Sequence, residues 1–280
     1  MKKKIKIDFS DFWGGFNKTD NYFYNLLKEE FDIEISNQPD YLFFSVFGNN
    51  HQNFRGTKIS YIGENVSPVF KDRNLFGSDY SFSFDYLDDP RNYRLPHYLL
   101  YPGYYDMVIK KVDESLLNRK FCSFVVSNGN SLERNNFFNK LSKYKIVDSG
   151  GSHLNNIGYK IPDKNKWLSE YKFNICFEND AHRGYNENYT TEKLPQSMQS
   201  NTVGIYKGNT QIGKEFNTKS FLNIRDFNSE ESAIEYIIEL DKNDDKYMDV
   251  IKQPWFPNNN QIPEDNKLEN IKKFLYRIFY

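Results

Sequence analysis

From Tyr171 to Phe177 the chain alternates: Tyr171, Phe173, Ile175 and Phe177 are separated by Lys172, Asn174 and Cys176. A two-residue period is the signature of a pleated strand. The strand ends in Glu178-Asn179, a polar, glycine-containing loop follows, and Thr191-Glu192-Lys193 opens a helix. Pro195 is tolerated only close to a helix start, so that helix begins at or just before Lys193. A loop between a strand's end and a helix N-terminus is where α/β proteins hold anionic ligands.

The same patterning predicts the remaining elements. Strands are expected at Ile5–Phe9, Phe31–Ile35, Tyr41–Phe47, Thr57–Ile62 and Tyr80–Phe84. A helix capped by Asp20 runs to about Glu30, with Phe23, Leu26 and Leu27 on one face. Asp85–Tyr105, rich in Pro, Tyr and Arg, is expected to be irregular and to lead to a domain junction near Asp106–Arg119. Beyond it come a strand at Phe121–Val126, a polar turn at Ser127–Ser131, a helix at Leu132–Leu141 and a strand at Tyr144–Val147. A short helix capped by Asp163 carries Trp167 and Leu168, and further strands fall at Val203–Tyr206 and Phe221–Ile224. Asn228 and Glu231 have capping-box spacing, and the helix they open lines up Ala233, Ile234, Ile237 and Ile238. Strand–helix alternation argues for an α/β protein with parallel sheets covered by helices. Two such halves with a cleft between them give domains at 1–115 and 116–254, followed by a basic amphipathic tail at 255–280. In the tail, Leu268, Ile271, Phe274, Leu275 and Ile278 fall at helical spacing among Lys267, Lys272, Lys273 and Arg277. Such a helix either makes peripheral contact with an anionic membrane surface through residues 267–280 or packs on the body of the protein.

Charge narrows the partners. Lys+Arg number 37 against 38 Asp+Glu, so the net charge of -1 gives no support for nucleic-acid binding. Phe (25) and Tyr (21) are abundant enough to build the core, and they also suit stacking on carbohydrate. The two cysteines, Cys122 and Cys176, lie inside apolar strand patterns, which suits buried thiols and provides no disulfide framework or zinc spacing. The basic start MKKKIKIDFSDFW is not followed by a signal-like apolar run, and no stretch approaches the ~20 apolar residues that span a bilayer. The expected location is therefore cytoplasmic, with the inner face of a membrane as the alternative offered by the tail.

Cationic side chains near strand ends are candidates for meeting the charge of an anionic ligand. Arg134 falls in the first turn of the helix after FCSFVVSNGNS, and Lys193 at the start of the later helix. On spacing alone each is more often a solvated surface residue. Glu192 could accept hydrogen bonds from ribose hydroxyls or simply favour the helix N-terminus. Glu64, following the strand and Gly63 in YIGENVSPVF, is a candidate general base or a turn carboxylate. The sequence contains no Asp-x-Asp pair of the kind that holds a divalent metal, so the expected chemistry uses no metal and no cofactor.

Read in order, DFWGGF, YIGENVSP, Phe84-Asp-Tyr-Leu-Asp-Asp with Arg94-Leu-Pro96, SFVVSN…ERN, GGS with Gly158-Tyr-Lys160, YKFNICFEN, NYTTEK and FLNIRDF resemble the bacterial-type α-1,3-fucosyltransferases of glycosyltransferase family 10. The resemblance implies a GT-B fold, two Rossmann-like domains facing across a cleft, with the first domain on the acceptor side and the second binding the GDP-sugar. It implies inverting transfer of L-fucose from GDP-fucose to an oligosaccharide acceptor, such as the 3-OH of N-acetylglucosamine, without a bound metal. It also implies roles: Glu64 as base, Arg134 on the diphosphate, and Asn179, Tyr189, Glu192 and Lys193 in the nucleotide-sugar pocket. The loop carrying His182-Arg183-Gly184-Tyr185 is longer than in typical bacterial relatives, so Tyr185 competes for the Tyr189 match. Acceptor contacts are implied around Phe12–Phe16, His51–Gly56 and Asp88–His97, with no sugar specified. A same-fold transferase for another GDP-deoxysugar and a noncatalytic glycan-binding protein are the alternatives.

Overall fold

The structure, a computed structural model, describes residues 1–65, 75–101, 103–179 and 187–280. It divides into two compact units, Met1–Leu100 with Glu264–Tyr280, and Tyr101–Pro263. The first division thus falls at 100/101 rather than at 115/116, and the last seventeen residues return to the first unit.

In the first unit, β1 (Lys4–Ser10), α1 (Tyr22–Glu30), β2 (Asp32–Ile35), β3 (Tyr41–Phe44), β4 (Thr57–Ile62), β5 (Tyr80–Ser83) and β6 (Asn92–Arg94) build a parallel sheet in the order β2-β1-β3-β4-β5-β6. β1 pairs with β2 on one side (Ile5 opposite Ile33) and with β3 on the other (Phe9 opposite Phe43). The chain therefore leaves β1 in one direction and resumes at β3 in the other, which makes the β1/β3 boundary the topological switch point of this sheet. α1 is capped by Asn21, whose side chain accepts from the Tyr24 N–H at 3.0 Å, and not by Asp20. Asp20 instead accepts from the Asn25 side chain at 3.1 Å, one position too early to reach the helix amides. Phe23, Leu26 and Leu27 are buried as the spacing predicts.

The strand β6 was hidden in the stretch expected to be irregular. It is three residues long, and its side chains are only half-buried. So short an edge strand offers little periodicity to read.

The C-terminal helix, Leu268–Arg277, settles the two readings of the tail. Its apolar stripe is buried against the first sheet: Phe274 meets Phe82 and Tyr93 with centroids 5.1 Å apart in each case, and Phe279 packs on Tyr41 at 4.5 Å. The Tyr276 hydroxyl donates to the Leu26 carbonyl at 2.9 Å and Lys272 pairs with Glu29 at 2.5 Å. The face that a bilayer would have taken is occupied by protein. Among the described residues no helix is long and apolar enough to cross a membrane.

In the second unit, β7 (Lys120–Phe124), α2 (Leu132–Leu141), β8 (Val147–Ser149), α3 (Lys164–Leu168), β9 (Tyr171–Ile175), α4 (Lys193–Gln199), β10 (Val203–Tyr206) and β11 (Leu222–Asn223) are followed by α5 (Glu230–Lys242) and α6 (Asp244–Ile251). The described strands form a parallel sheet ordered β11-β10-β9-β7-β8, with its switch point between β7 and β9. β8 starts where the expected Tyr144–Val147 strand ends, because Tyr144 still belongs to the turn closing α2 and donates its N–H to Leu141 O. α5 is capped one residue later than expected, by a Ser229–Ser232 box, and buries Ala233, Ile237 and Leu240. Ile234 and Ile238 are only half-buried.

The alternation along β9 hides how deeply the strand lies. All five of its residues are buried, the polar ones included. Asn174 donates to Ser197 Oγ at 2.7 Å and accepts from Ser123 Oγ at 3.0 Å. The Lys172 ammonium lies 5.3 Å from the Tyr247 ring centroid and 3.5 Å from Asp244. A central parallel strand is covered on both faces, so its polar face must find partners inside the protein. Cys122 and Cys176 are buried free thiols, and burial pushes both pKa values up.

Candidate active site

The two strands that flank the second switch point deliver the charged residues. After β7 the chain turns through Val126–Ser131 into α2. The loop after β8 presses on that turn so closely that a Cβ on Gly151 would stand 1.9 Å from the Val126 carbonyl oxygen. Only glycine allows this approach. Arg134 lies in the first turn of α2 and is 1% exposed. Its guanidinium donates to the Asn128 carbonyl at 2.6 Å, to Asn179 Oδ1 at 2.7 Å and to the Phe177 carbonyl at 3.4 Å. The fork thus ties the turn after β7 to the segment after β9, and it sits beside the N-terminus of α2, where free backbone amides favour negative charge.

After β9 the buried Glu178 becomes the hub. One carboxylate oxygen accepts from the Thr191 N–H at 2.7 Å; the other accepts from the Thr191 hydroxyl at 2.6 Å and the Lys193 ammonium at 3.1 Å. Lys193 also donates to Thr191 Oγ1 at 2.8 Å. Burial pushes the Lys193 pKa down and the Arg134 guanidinium does the same, but the Glu178 and Glu192 carboxylates outweigh them and hold it above the ordinary lysine value. The ammonium is therefore charged throughout the neutral range. Lys164, at the start of α3, shares this field: burial lowers its pKa, the Lys193 charge adds to that, and Glu192 and Glu178 oppose it.

The structure brings together Arg134 with Asn179, and Glu192 with Lys193. Lys193 begins α4, as Pro195 required. Tyr189 is buried between Asn188 and Thr190, which hydrogen bond to Gln211 at 2.9 Å and Asn209 at 3.0 Å. Tyr185, with His182, Arg183 and Gly184, lies outside the described residues. Glu64 belongs to the first unit. It is exposed, two residues beyond the C-terminal end of β4.

Glu178, Thr191 and Lys164 escaped the reading of the sequence as site residues. Glu178 carried a signal: a carboxylate at the end of a strand this apolar is buried, and burial of a carboxylate demands a cation. Lys164 carried none, because its charge couples to Glu192, Lys193 and Glu178 only through the placement of α3.

Residues 7–101 match the alpha-(1,3)-fucosyltransferase FucT N-terminal domain, and residues 117–259 match the C-terminal part of glycosyltransferase family 10 (fucosyltransferase). The chain belongs to glycosyltransferase family 10. It is 34% identical over 301 aligned residues to the alpha-(1,3)-fucosyltransferase FucT of Helicobacter pylori, a match covering 88% of this chain and 59% of that enzyme. The chain thus spans less than two thirds of the length of this relative. The crystal structure of an alpha1,3-fucosyltransferase with GDP superposes with a TM-score of 0.80 at 29% identity, covering 99% of this chain and 90% of that one. The corresponding structure with GDP-fucose gives 0.77 at 28% identity, covering 98% and 91%. The fold is of the GT-B type, built from two Rossmann-like α/β domains.

Proposed function

We propose that the protein is an α-1,3-fucosyltransferase that moves L-fucose from GDP-fucose to a sugar hydroxyl with inversion at the anomeric carbon. The carrying observation is the pair of cations at the second switch point, Arg134 and Lys193, each anchored by neighbours that fix its position. As the bond from the anomeric carbon to the diphosphate oxygen breaks, the electron pair leaves with GDP. The growing negative charge meets the Arg134 guanidinium, the amides of the α2 N-terminus and the Lys193 ammonium. These groups supply the stabilisation that other transferases obtain from a divalent ion, so the reaction runs without a metal. Asn179, Tyr189 and Glu192 complete the nucleotide-sugar pocket, with Asn179 also steering the Arg134 fork.

Glu64 is the base. It takes the proton from the acceptor hydroxyl, the 3-OH of N-acetylglucosamine or a related sugar, as that oxygen attacks the anomeric carbon. Glu64→Gln keeps the shape and removes the basic oxygen. The expected result is a wild-type GDP dissociation constant by calorimetry with transfer reduced at least ~100-fold, the scale of a lost general base. Normal turnover in that variant would remove Glu64 from the mechanism. Turnover unchanged by EDTA is expected alongside.

A further inference from the structure

The charged crevice lies at the carboxyl ends of the second sheet. Toward the amino ends of the same sheet the second unit holds a cavity of about 620 Å³. The turn at Tyr105–Val108 and the residues just after it form one wall, and the end of α4 forms another. Asn201, also in the wall, stands two residues before β10. α4 begins at Lys193 and reaches the cavity with Met198 and Gln199. Six residues of helix span ~9 Å, so the cavity is distinct from the crevice that holds Lys193.

Lys110 gives the cavity its chemistry. Its ammonium donates to the Gln253 carbonyl at 2.6 Å and lies 3.1 Å from the centre of the Trp255 ring. A carbonyl oxygen and a ring face both favour the charged form and fix its position. Neither neutralises it. Among the described residues no carboxylate pairs with Lys110, and burial pushes its pKa down from the ordinary lysine value to about 7. A half-buried charge with no counter-ion is costly, and an anion entering the cavity removes that cost.

Charge and size narrow the anion. Lys111 and Asp106 also line the cavity, and both are exposed. Two ammonium groups and one carboxylate leave a single net positive charge, which suits a monoanion better than a phosphate ester or a diphosphate. α3 and α4 contribute neutral amides, with Asn165 donating to Gln199 at 3.0 Å. The volume lies within the ~300–1,000 Å³ typical of pockets for small organic molecules, so a bare ion would leave most of it unfilled. Met107, Met198 and Ile109 supply apolar wall, and methionine adapts to the shape of what it meets.

We propose that this cavity is a second ligand site, in which Lys110 receives the carboxylate of a small organic monoanion and the methionine-lined wall receives its apolar body. Binding there does not depend on the transferase chemistry, and turnover of GDP-fucose is not needed to read it.

The test titrates hexanoate, benzoate and phenylacetate into the full chain, followed by saturation-transfer NMR and calorimetry. Inorganic phosphate and benzamide are titrated alongside. At least one of the three carboxylates should saturate with a dissociation constant of ~1 mM or below. Benzamide, which keeps the ring and lacks the charge, should bind at least ~10-fold more weakly than benzoate. Lys110→Met keeps an apolar stem on Trp255 and should weaken the best carboxylate ~10-fold or more, with GDP affinity unchanged. Ile109 is 74% exposed, so Ile109→Asp adds a repelling charge at the rim without disturbing the core. It should weaken the same carboxylate ~5-fold and decides the matter if Lys110→Met fails to fold. Four outcomes overturn the site: no saturation by any of the three carboxylates, benzamide binding as well as benzoate, phosphate binding more tightly than all three, or affinities within twofold of wild type in every folded variant.

Discussion

The two sheets share a strand order and differ in what they place at its turning point. In each, the first strand of the unit sends its successor to one side and the third strand to the other, leaving a crevice at the carboxyl ends. The second unit lines that crevice with Arg134, whose guanidinium donates to the Asn128 carbonyl and to Asn179, and with Glu178, which accepts from the Lys193 ammonium at 3.1 Å. The first lines it with the exposed rings of Trp13, after β1, and Phe47, after β3, an aromatic corner backed by Phe12 and Phe16. Topology fixes where a ligand goes, while side chains decide which ligand. A diphosphate carries charge that must be met by pre-positioned cations, whereas a neutral sugar offers only a weakly polar ring and hydroxyls.

The comparison breaks most readily at Glu178. Glu178→Ala leaves the Lys193 ammonium without its buried counter-charge and Thr191 without its acceptor. The expected loss is ~3–5 kcal/mol of unfolding free energy, read by urea denaturation at neutral pH. A loss below ~1 kcal/mol would mean that the charged crevice is not preassembled. The sign with pH follows from the raised Lys193 pKa: the pair's contribution is fully present below the ordinary lysine value and disappears as pH rises through the higher folded one.

Next in size is a selective effect on the donor. Lys193→Ala should weaken GDP binding ~10- to 100-fold by calorimetry, about 1.4–2.8 kcal/mol. Phe47→Ala should leave GDP affinity at the wild-type value. Equal effects of the two variants would erase the division of labour between the crevices.

A smaller effect is expected at Asp11, the clasp of the aromatic corner. Asp11→Asn gives up one of the carboxylate oxygens, which accept from the Asn50 and His51 N–H groups and face the His51 ring, at ~1–2 kcal/mol. Trp13, exposed where Trp167 and Trp255 are buried, should become more accessible to acrylamide, while GDP affinity stays constant. Unchanged quenching would show that the corner holds itself.

The smallest effect is in pH. Burial raises the Asp11 pKa, but the hydrogen bonds from His51 and Asn50 outweigh it and hold the carboxyl below its ordinary value. A depressed carboxyl contributes stability above its unfolded pKa and loses it as pH falls through the folded one. Trp13 quenching in the wild type should therefore begin to rise below about pH 4, the ordinary aspartate range, and Asp11→Asn should not show that step.

Much of this arrangement was legible in the chain. The periods of β1, β9 and α1, the Pro195 constraint on α4 and the order of the family motifs placed Arg134, Asn179, Tyr189, Glu192 and Lys193 near strand or helix ends. Caps were misplaced by one residue at α1 and α5, because adjacent Asp20-Asn21 and Asn228-Ser229 offer two side chains able to accept from helix amides. Neighbouring capping residues compete, and local backbone geometry picks the winner. The stretch Phe12–Phe16 was marked by the family motifs, but that Trp13 and Phe47 stand exposed was not readable, since an aromatic at a loop tip and one in the core read alike.

The sequence alone determined the periodicities, the element types and the family, since each is written within a few consecutive residues or in the order of short motifs. Only tertiary structure decided that both faces of β9 are covered, that the amphipathic tail seals the first sheet, and that Glu178 serves as the hub for Lys193. Those outcomes depend on which distant surfaces meet, and burial sets the strength of a charge only after they have met.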